Sequence, residues 1–334
     1  MIGLVELVRV LEESYGVGAV EVQRIEGGTN TVNYRVVDGD GRPWFAKVYR
    51  GGLEQERAAI GLTAYAGRAG VPVPEVRRTL DGAVIDERMP MSLWEFVDGE
   101  TAEGGISGER WPAVGTVLGR LHRRLAEHPA AVPTLRPATG ARDLERARTQ
   151  FDQVIATFRA RAELSPFEEW ACEAALERRA LLGQAGAILA ELPPLTVQVL
   201  HGDLASPNLM LNGDTVAAVI DFQPPRPGYV AWEIARIGAD PRTVMLGDQW
   251  IDGFAVLLEA YREEHPAARP DDLLSAVAVG CAYTLGSTFP LAEPPPITSS
   301  LELYARARHS AALVMFERLA EVAEYLRDRL GAGS

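Results

Sequence analysis

The chain has 334 residues, 47% of them hydrophobic, so it can bury a large core and is expected to divide into two lobes. No apolar run approaches the roughly 20 residues that a transmembrane helix needs, and acidic residues near the N-terminus argue against a signal peptide. A formal net charge of −13 disfavours nucleic acid and anionic membranes as partners; it suits a cationic small substrate, although such acidity is also common in soluble proteins.

The first hundred residues predict a helix followed by a small antiparallel sheet. Apolar residues recur on one helical face over residues 1–15. Alternating apolar and polar residues then predict three strands at 20–25, 32–37 and 44–49. Two further strands are expected at 83–88 and 93–97, before a glycine-containing connector.

Two features of this sheet favour phosphate binding. The turn between the first two strands carries Gly28, Thr29 and Asn30, and glycine there lets backbone N–H groups approach phosphate oxygens closely. Lys47 lies in the middle of the third strand between apolar neighbours, where a charge needs a partner. The alternative for the glycine-containing segment is a simple hairpin turn without a ligand. The alternative for Lys47 is an edge-strand lysine that points to solvent.

The helix that begins near Leu53 offers two carboxylates to Lys47. Both Glu54 and Glu56 lie in its first turn, where acidic residues also complement the helix N-terminus. We expect Glu56 to be the partner of Lys47, because it shares a helical face with Ile60, whereas Glu54 remains the alternative.

The remainder of the chain, residues 98–334, is predicted to be mainly helical. Apolar periodicity predicts helices from Trp111, near Trp232 and over four long segments: 141–162, 166–191, 245–264 and 271–287, with a last one at 300–330. Cys172 and Cys281 lie in separate helical patterns and are expected to be reduced, which favours the cytoplasm. The expected fold is therefore α+β, with a small antiparallel-sheet N-terminal lobe at 1–97 and a large helical C-terminal lobe.

The segment from His201 to Asp221 carries groups that phosphoryl transfer requires. In the kinase template one Asp accepts the proton of the attacking hydroxyl, and an Asn five residues later and a second Asp hold Mg²⁺. Here Asp203, Asn208 and Asp221 have those spacings. A turn at 212–214 predicts a β-hairpin between Asn208 and Asp221, which would bring these two side chains together.

With these residues in place, the chain resembles the aminoglycoside phosphotransferase superfamily of small-molecule kinases, which includes choline and homoserine kinase-like enzymes. The resemblance covers nearly the whole chain and implies a bilobal protein-kinase-like fold. The stretch from Glu95 to Gly115 is also similar to spectinomycin-type antibiotic kinases. The matching segments are Gly27–Val36, Lys47, Gly70–Pro74, Glu95–Gly99, Leu118–His122, His201–Leu204 and Ile220–Phe222.

The resemblance implies a role for each matched residue. Asp203 is the base or the carboxylate that orients the hydroxyl, and Lys47, oriented by Glu56, contacts phosphate. The backbone from Glu95 to Val97 is the adenine hinge, and His201 holds the catalytic loop through hydrogen bonds. The implied Mg²⁺ ligands are Asn208 and Asp221.

The acceptor is expected to bind near Asp203, in a pocket walled by the helix that contains Trp232 and Glu233, by the loop at 129–140 and by later helices. The family often has Asp-Leu-Ala where this chain has Glu233-Ile234-Ala235, so Glu233 takes either a structural or a substrate-facing role. An acidic pocket would select amine-bearing acceptors. Three downstream aspartates favour such a pocket, unless they are turn and solvated-face residues: Asp240, Asp248 and Asp252.

The leading hypothesis is an ATP- or GTP-dependent O-phosphotransferase that uses Mg²⁺ and acts, as a monomer or homodimer, on a hydroxyl of a small, amine-bearing molecule. An antibiotic is the favoured acceptor, ahead of a metabolite of the homoserine, choline or sugar type. The alternatives are a peptide Ser/Thr kinase of natural-product maturation and a catalytically silent nucleotide-binding module. Retention of Lys47, Asp203, Asn208 and Asp221 argues against the silent module.

Overall fold

The computed structural model describes residues 3–25, 31–293 and 296–331 of the chain. The first elements are α1 (Leu4–Tyr15), β1 (Ala19–Ile25), β2 (Thr31–Asp38), β3 (Pro43–Tyr49), α2 (Leu53–Gly67), β4 (Val76–Arg77), β5 (Met91–Glu95) and β6 (Glu100–Thr101). The next are α3 (Arg110–Leu125), β7 (Thr134–Arg136), α4 (Leu144–Arg159), α5 (Pro166–Glu191), β8 (Leu195–Val199), β9 (Leu209–Asn212) and β10 (Thr215–Val219). The last are β11 (Pro227–Tyr229), α6 (Val230–Gly238), α7 (Pro241–Val244), α8 (Gln249–Glu264), α9 (Pro270–Leu285) and α10 (Ser299–Gly331).

These elements form two compact units that are not continuous in sequence. The sheet unit comprises Met1–Thr101, His201–Asp203 and Asn208–Pro225. The helical unit comprises Ala102–Leu200, Leu204–Pro207 and Arg226–Ser334. The fold class predicted from the sequence is confirmed: an antiparallel sheet near the N-terminus and a mainly helical remainder.

The sheet unit is built on a five-stranded antiparallel sheet in the order β1-β2-β3-β5-β4. Alternating apolar side chains of β2 and β3 pack against the apolar face of α1, where Leu7 and Leu11 are fully buried. The Tyr15 hydroxyl, also buried, donates to the Met91 carbonyl over 2.6 Å, so α1 is tied to the start of β5. Lys47 lies on β3, the central strand of this sheet.

The strand predicted at 83–88 is wrong. A turn with Gly82 at φ 92° reverses the chain, closed by the bond from the Thr79 N–H to the Ala83 carbonyl. Within residues 83–88 the backbone of Asp86 alone pairs with β5, as an isolated bridge to Met91. The short strand β4, at Val76–Arg77, pairs with β5 in its place. The strand predicted at 93–97 is present but begins and ends two residues earlier.

The hairpin predicted before Asp221 is confirmed as the pair β9 and β10, with Gly213 at φ 59° in its turn. The Ile220 N–H donates to the Asn208 carbonyl over 3.0 Å, which holds the two ends of the hairpin together. The hairpin pairs with β6, and the Val219 N–H donates to the Pro72 carbonyl. These bonds explain why the hairpin belongs to the sheet unit, although the sequence boundary at residue 97 assigned it to the helical part.

The helical unit contains the helices predicted from periodicity, with boundaries shifted by a few residues. Close packing of α3 on α8 depends on glycine: a Cβ at Gly115 would lie 2.2 Å from the Leu257 carbonyl oxygen. A three-stranded sheet of β11, β8 and β7 was not predicted, because its strands have only three to five residues. No helix in the described residues is long and apolar enough to cross a membrane.

The stability of the helical unit is expected to depend on the protonation of His265. Burial, and then nearby His122 and Arg123, lower the pKa of His265 to about 4 from an ordinary value of 6.5. Between these two pH values the unfolded chain binds a proton that the folded chain does not. The free energy of unfolding should therefore fall as the pH is lowered from 6.5 towards 4.

Urea denaturation at several pH values between 4 and 7.5 measures this effect. The variant His265→Gln should show a shallower loss of stability at acid pH than the wild type. Identical pH dependence in both proteins would contradict the assignment to His265.

Candidate active site

The His201-Gly202-Asp203 loop is held by hydrogen bonds of a fully buried histidine. His201 Nε2 donates to the Ile220 carbonyl over 2.9 Å, and His201 Nδ1 accepts from the Asp203 N–H over 3.2 Å. Both ring nitrogens are therefore used inside the protein, which suits a positioning role. Gly202 has φ 89°, and a Cβ there would lie 2.9 Å from the Gln223 side chain, so glycine is required in the middle of the motif.

Asn208 connects this loop to the hairpin. Its side-chain nitrogen donates to the Asp203 carbonyl over 2.8 Å and lies 3.5 Å from Asp203 Oδ2. At the other end of the hairpin, Asp221 has φ 63°, a left-handed conformation that is uncommon outside glycine. Such backbone conformations persist where the surrounding structure enforces them, and they concentrate at functional sites. The fold thus places Asn208 beside Asp203 and at the same end of the hairpin as Asp221.

Lys47 pairs with Asp221 rather than with Glu56. Lys47 Nζ lies 2.6 Å from Asp221 Oδ1, although the two residues are 174 positions apart in sequence. Glu56 is near enough that Lys47 lowers its pKa, but burial has the larger effect and raises the pKa overall. A half-buried carboxylate is more costly to ionise than the more exposed Asp221, so the ammonium group favours Asp221. The expected Lys47–Glu56 ion pair is a prediction that this structure does not bear out.

These groups line one cavity of about 390 Å³ within the sheet unit. Lys47, Glu56, Asn208 and Asp221 contribute polar groups to its lining, and the predicted hinge from Glu95 to Val97 lines it as well. Asp203 is not among the lining residues, but its carbonyl accepts the hydrogen bond from Asn208. The volume and mixed lining suit a nucleotide-sized ligand.

The apolar residues that line the cavity were not predicted from the sequence. Met210 and Ile220 of the hairpin and Tyr49 of β3 contribute to its walls. A signal was present, because Ile220 directly precedes Asp221 and Met210 lies two residues after Asn208. The predicted phosphate-binding turn residues Gly28, Thr29 and Asn30 lie outside the described residues.

The side chains at this cavity fit a magnesium ion chemically. Asn208 and Asp221 offer amide and carboxylate oxygens, the donor types that Mg²⁺ prefers. The Asn208 nitrogen is bonded to the Asp203 carbonyl, which orients the amide and leaves its oxygen for another contact. These two residues would hold the ion.

Trp232 and Glu233, expected near the acceptor, lie in the helical unit. Glu233 is fully buried, and its carboxylate lies 3.0 Å from His122 Nε2, whose Nδ1 is 3.0 Å from the Tyr261 hydroxyl. His122 is likewise fully buried, so it is a core histidine. Of the two roles considered for Glu233, this environment favours the structural one. Trp232 is partly exposed and packs on Tyr283, with ring centroids 5.2 Å apart.

Replacing Glu233 with alanine should destabilise the protein by about 1–3 kcal/mol, because a buried polar partner of His122 is left unsatisfied. The matched control is Glu264→Ala, which removes a carboxylate bound to partly exposed Arg120 and should cost about 0–1 kcal/mol. Chemical denaturation measures both variants. A raised KM for the acceptor without loss of stability would instead assign Glu233 to substrate binding.

Each of the three aspartates that were predicted to favour an acidic acceptor pocket contacts another group of the protein. Asp240 is buried and caps α7 through the Arg242 N–H, as a turn residue would. Asp248 and Asp252 are mostly exposed and contact Arg318 and Tyr325, respectively. These contacts agree with the alternative of turn and solvated-face residues.

The fold is the protein-kinase-like fold of APH kinases. Residues 21–270, more than half of the chain, match the model of the phosphotransferase enzyme family APH. The chain belongs to the APH family. This confirms the family predicted from the motifs.

Three relatives illustrate the range of the family. The homoserine kinase of Methylobacillus glycogenes is 25% identical over 223 residues, which are 66% of this chain and 62% of that protein, so the chain spans less than two thirds of it. Spectinomycin phosphotransferase APH(9)-Ia, in complex with ADP and spectinomycin, has a TM-score of 0.59 at 16% identity and matches over 98% of this chain and 99% of its own. Macrolide 2′-phosphotransferase MphH from Brachybacterium faecium has a TM-score of 0.55 at 19% identity, over 93% and 97% of the two chains. At these identities the two structures show the fold alone.

Proposed function

We propose that the chain is an ATP-dependent O-phosphotransferase that acts on a hydroxyl of a small, amine-bearing molecule, with an antibiotic as the favoured acceptor. The observation that carries this proposal is the gathering of Lys47, Asn208 and Asp221 around one nucleotide-sized cavity, with Asp203 bonded to Asn208. Phosphoryl transfer is catalysed mainly by positioning and by charge stabilisation, which such a set of groups provides.

Each residue has a proposed part in the reaction. The Asp203 carboxylate accepts the proton of the acceptor hydroxyl, whose oxygen forms the bond to the γ-phosphorus while the bond to the ADP oxygen breaks. Lys47, which pairs with Asp221, contacts the α- and β-phosphates, and Glu56 lines the same cavity. His201 holds the loop that carries Asp203. A bound Mg²⁺ would neutralise the negative charge on the phosphate oxygens.

Two observations support an antibiotic acceptor that carries an amine. The chain has a net charge of −13, which favours a cationic small molecule. Spectinomycin and macrolide phosphotransferases have the same fold. The second candidate, a metabolic kinase of the homoserine type, is supported by the similarity to homoserine kinase over 66% of this chain.

An acceptor screen with purified protein tests the proposal. ADP release from Mg²⁺–ATP, and separately from Mg²⁺–GTP, should rise severalfold with an acceptor from a panel of aminocyclitols, macrolides, amino alcohols and hydroxyl amino acids. Mass spectrometry should then find the acceptor heavier by one phosphoryl group. Phosphorylation of peptides alone would favour the peptide kinase, and nucleotide binding without turnover on any acceptor would favour the silent module.

The remaining proposals concern the protein as a whole. We infer a cytoplasmic monomer or homodimer with no nucleic-acid or membrane partner. Two free cysteines and the acidic composition support this inference.

A further inference from the structure

Three arginines of the helical unit form a cluster, and none of them is ion-paired with a carboxylate of the described residues. The arginine cluster consists of Arg142 before α4, Arg178 on α5 and Arg308 on α10. Arg178 is fully buried, and Arg308 is 8% exposed. No carboxylate oxygen of a described residue lies within 4.0 Å of any of the three guanidinium groups. Other arginines of this unit pair with acids, for example Arg306 with Glu302 and Arg329 with Glu259.

Two of the three arginines, Arg178 and Arg142, contact the C-terminal end of α9. Arg178 donates to the carbonyls of Thr284, Leu285 and Ser287, and Arg142 donates to the Gly286 carbonyl. Helix-terminal carbonyls are equivalent to roughly half a negative charge. Against three guanidinium groups, this leaves a charge of about +2.5. Asp143 attracts Arg142, which is partly exposed, but Arg178 and Arg308 are buried. In a chain with 46 acidic and 33 basic residues, such an excess at a buried position needs a reason.

Each arginine of the cluster also retains a buried N–H without an acceptor. Arg178 Nη1, Arg142 Nε and Arg308 Nε have no hydrogen-bond partner among the described residues. Buried guanidinium N–H groups normally bind an oxygen atom, because an unsatisfied donor is costly. Burial, and then the nearby charges of Arg308 and Arg142, lower the pKa of Arg178 to about 9.

Aromatic side chains connect the cluster to the expected acceptor region. The Arg142 guanidinium lies 5.0 Å from the Tyr283 ring, and Tyr283 packs on Trp232. Arg308 Cζ lies 6.0 Å from the Phe289 ring, which is 44% exposed. The charged side chain next to Tyr283 is therefore a cation, so a ligand that contacts Trp232 would lie near cationic rather than acidic groups.

We propose that the arginine cluster binds a small oxyanion, a carboxylate or a phosphate group, and that this group belongs to the acceptor. The second part rests on the proposed function. Guanidinium groups match the geometry of both anions through paired N–H donors. The acceptor class is thereby narrowed to molecules that carry an oxyanionic group in addition to the hydroxyl, and a zwitterion would satisfy both this cluster and the overall acidity of the chain.

Thermal unfolding with inorganic phosphate or succinate, each compared with chloride at equal ionic strength, tests the oxyanion site without nucleotide or turnover. At about ten times the dissociation constant, the wild-type Tm should rise by roughly 2–5 °C. Arg308→Gln should lose most of this rise, whereas Arg306→Gln, two residues away on the same helix, should keep it. In chloride alone Arg308→Gln should be at least as stable as the wild type, because like-charge repulsion is relieved.

The two anions distinguish the two sources of the oxyanion. A rise with succinate but not with phosphate assigns a carboxylate, and the reverse assigns a phosphate group. No rise with either anion, or an equal rise in wild type and Arg308→Gln, would overturn the site. A clear loss of stability of Arg308→Gln in chloride would show that Arg308 is a structural residue, and this result would also overturn the proposed oxyanion site.

Steady-state kinetics with the identified acceptor tests the oxyanion site separately from the proposed phosphotransferase function. With an acceptor that bears the anion, Arg308→Gln should raise KM about tenfold or more and leave kcat nearly unchanged, whereas an uncharged amide analogue should show no such change. If turnover occurs but KM is unaffected, the acceptor assignment fails and the phosphotransferase function stands. If no acceptor is phosphorylated while phosphate or succinate still binds at Arg308, the proposed function fails and the oxyanion site stands.

Discussion

Asp203→Ala is expected to reduce the turnover of the identified acceptor by about 10²–10⁴-fold, the usual effect of removing a positioned base. Affinity for the nucleotide should remain close to that of the wild type. The reason is that Lys47, Glu56, Asn208 and Asp221 line the cavity, whereas Asp203 does not. Steady-state kinetics and calorimetric titration with ADP measure the two quantities separately.

The control for this variant is Asp214→Ala in the exposed turn between β9 and β10, which should turn over like the wild type. The alanine at position 203 keeps the backbone carbonyl that accepts from Asn208, so the loop should remain folded. Near-normal turnover of a correctly folded Asp203→Ala protein would contradict the catalytic role of this carboxylate.

Asp221→Asn should weaken the binding of Mg²⁺–nucleotide by tenfold or more. A close pair of opposite charges at intermediate dielectric is worth on the order of 4 kcal/mol before desolvation, and about 1.4 kcal/mol already corresponds to tenfold. Asparagine tolerates the left-handed backbone that Asp221 adopts at φ 63°, so this substitution changes the charge with little added strain.

Magnesium itself provides the control for Asp221. With EDTA in place of Mg²⁺, the Asn variant should bind ADP as tightly as the wild type or more tightly, because a carboxylate that repels the phosphates has been removed. Calorimetric titration with and without Mg²⁺ measures this difference. Equal affinities of the two proteins in the presence of Mg²⁺ would show that Asp221 is not the metal ligand.

Local patterns in the sequence predicted much of the architecture. Helical periodicity identified the long helices, and the Asn212-Gly213-Asp214 turn identified the hairpin, because both depend on neighbours a few residues apart. The motif around His201 and Asp203 identified the family on the same basis. The short strands β4, β7 and β11 were missed, since two or three residues carry too weak a pattern.

By itself, the sequence determined the residues that can take part in phosphoryl transfer: Lys47, Asp203, Asn208 and Asp221. Their order along the chain indicates an α+β kinase-like fold. Only the tertiary structure decided their partners. The pairing of Lys47 with Asp221, the contact of buried Glu233 with His122 and the hydrogen bond from Arg178 to the Leu285 carbonyl each join residues more than 100 positions apart. Such contacts depend on the relative cost of burying each charge in the folded chain, and no local spacing encodes that cost.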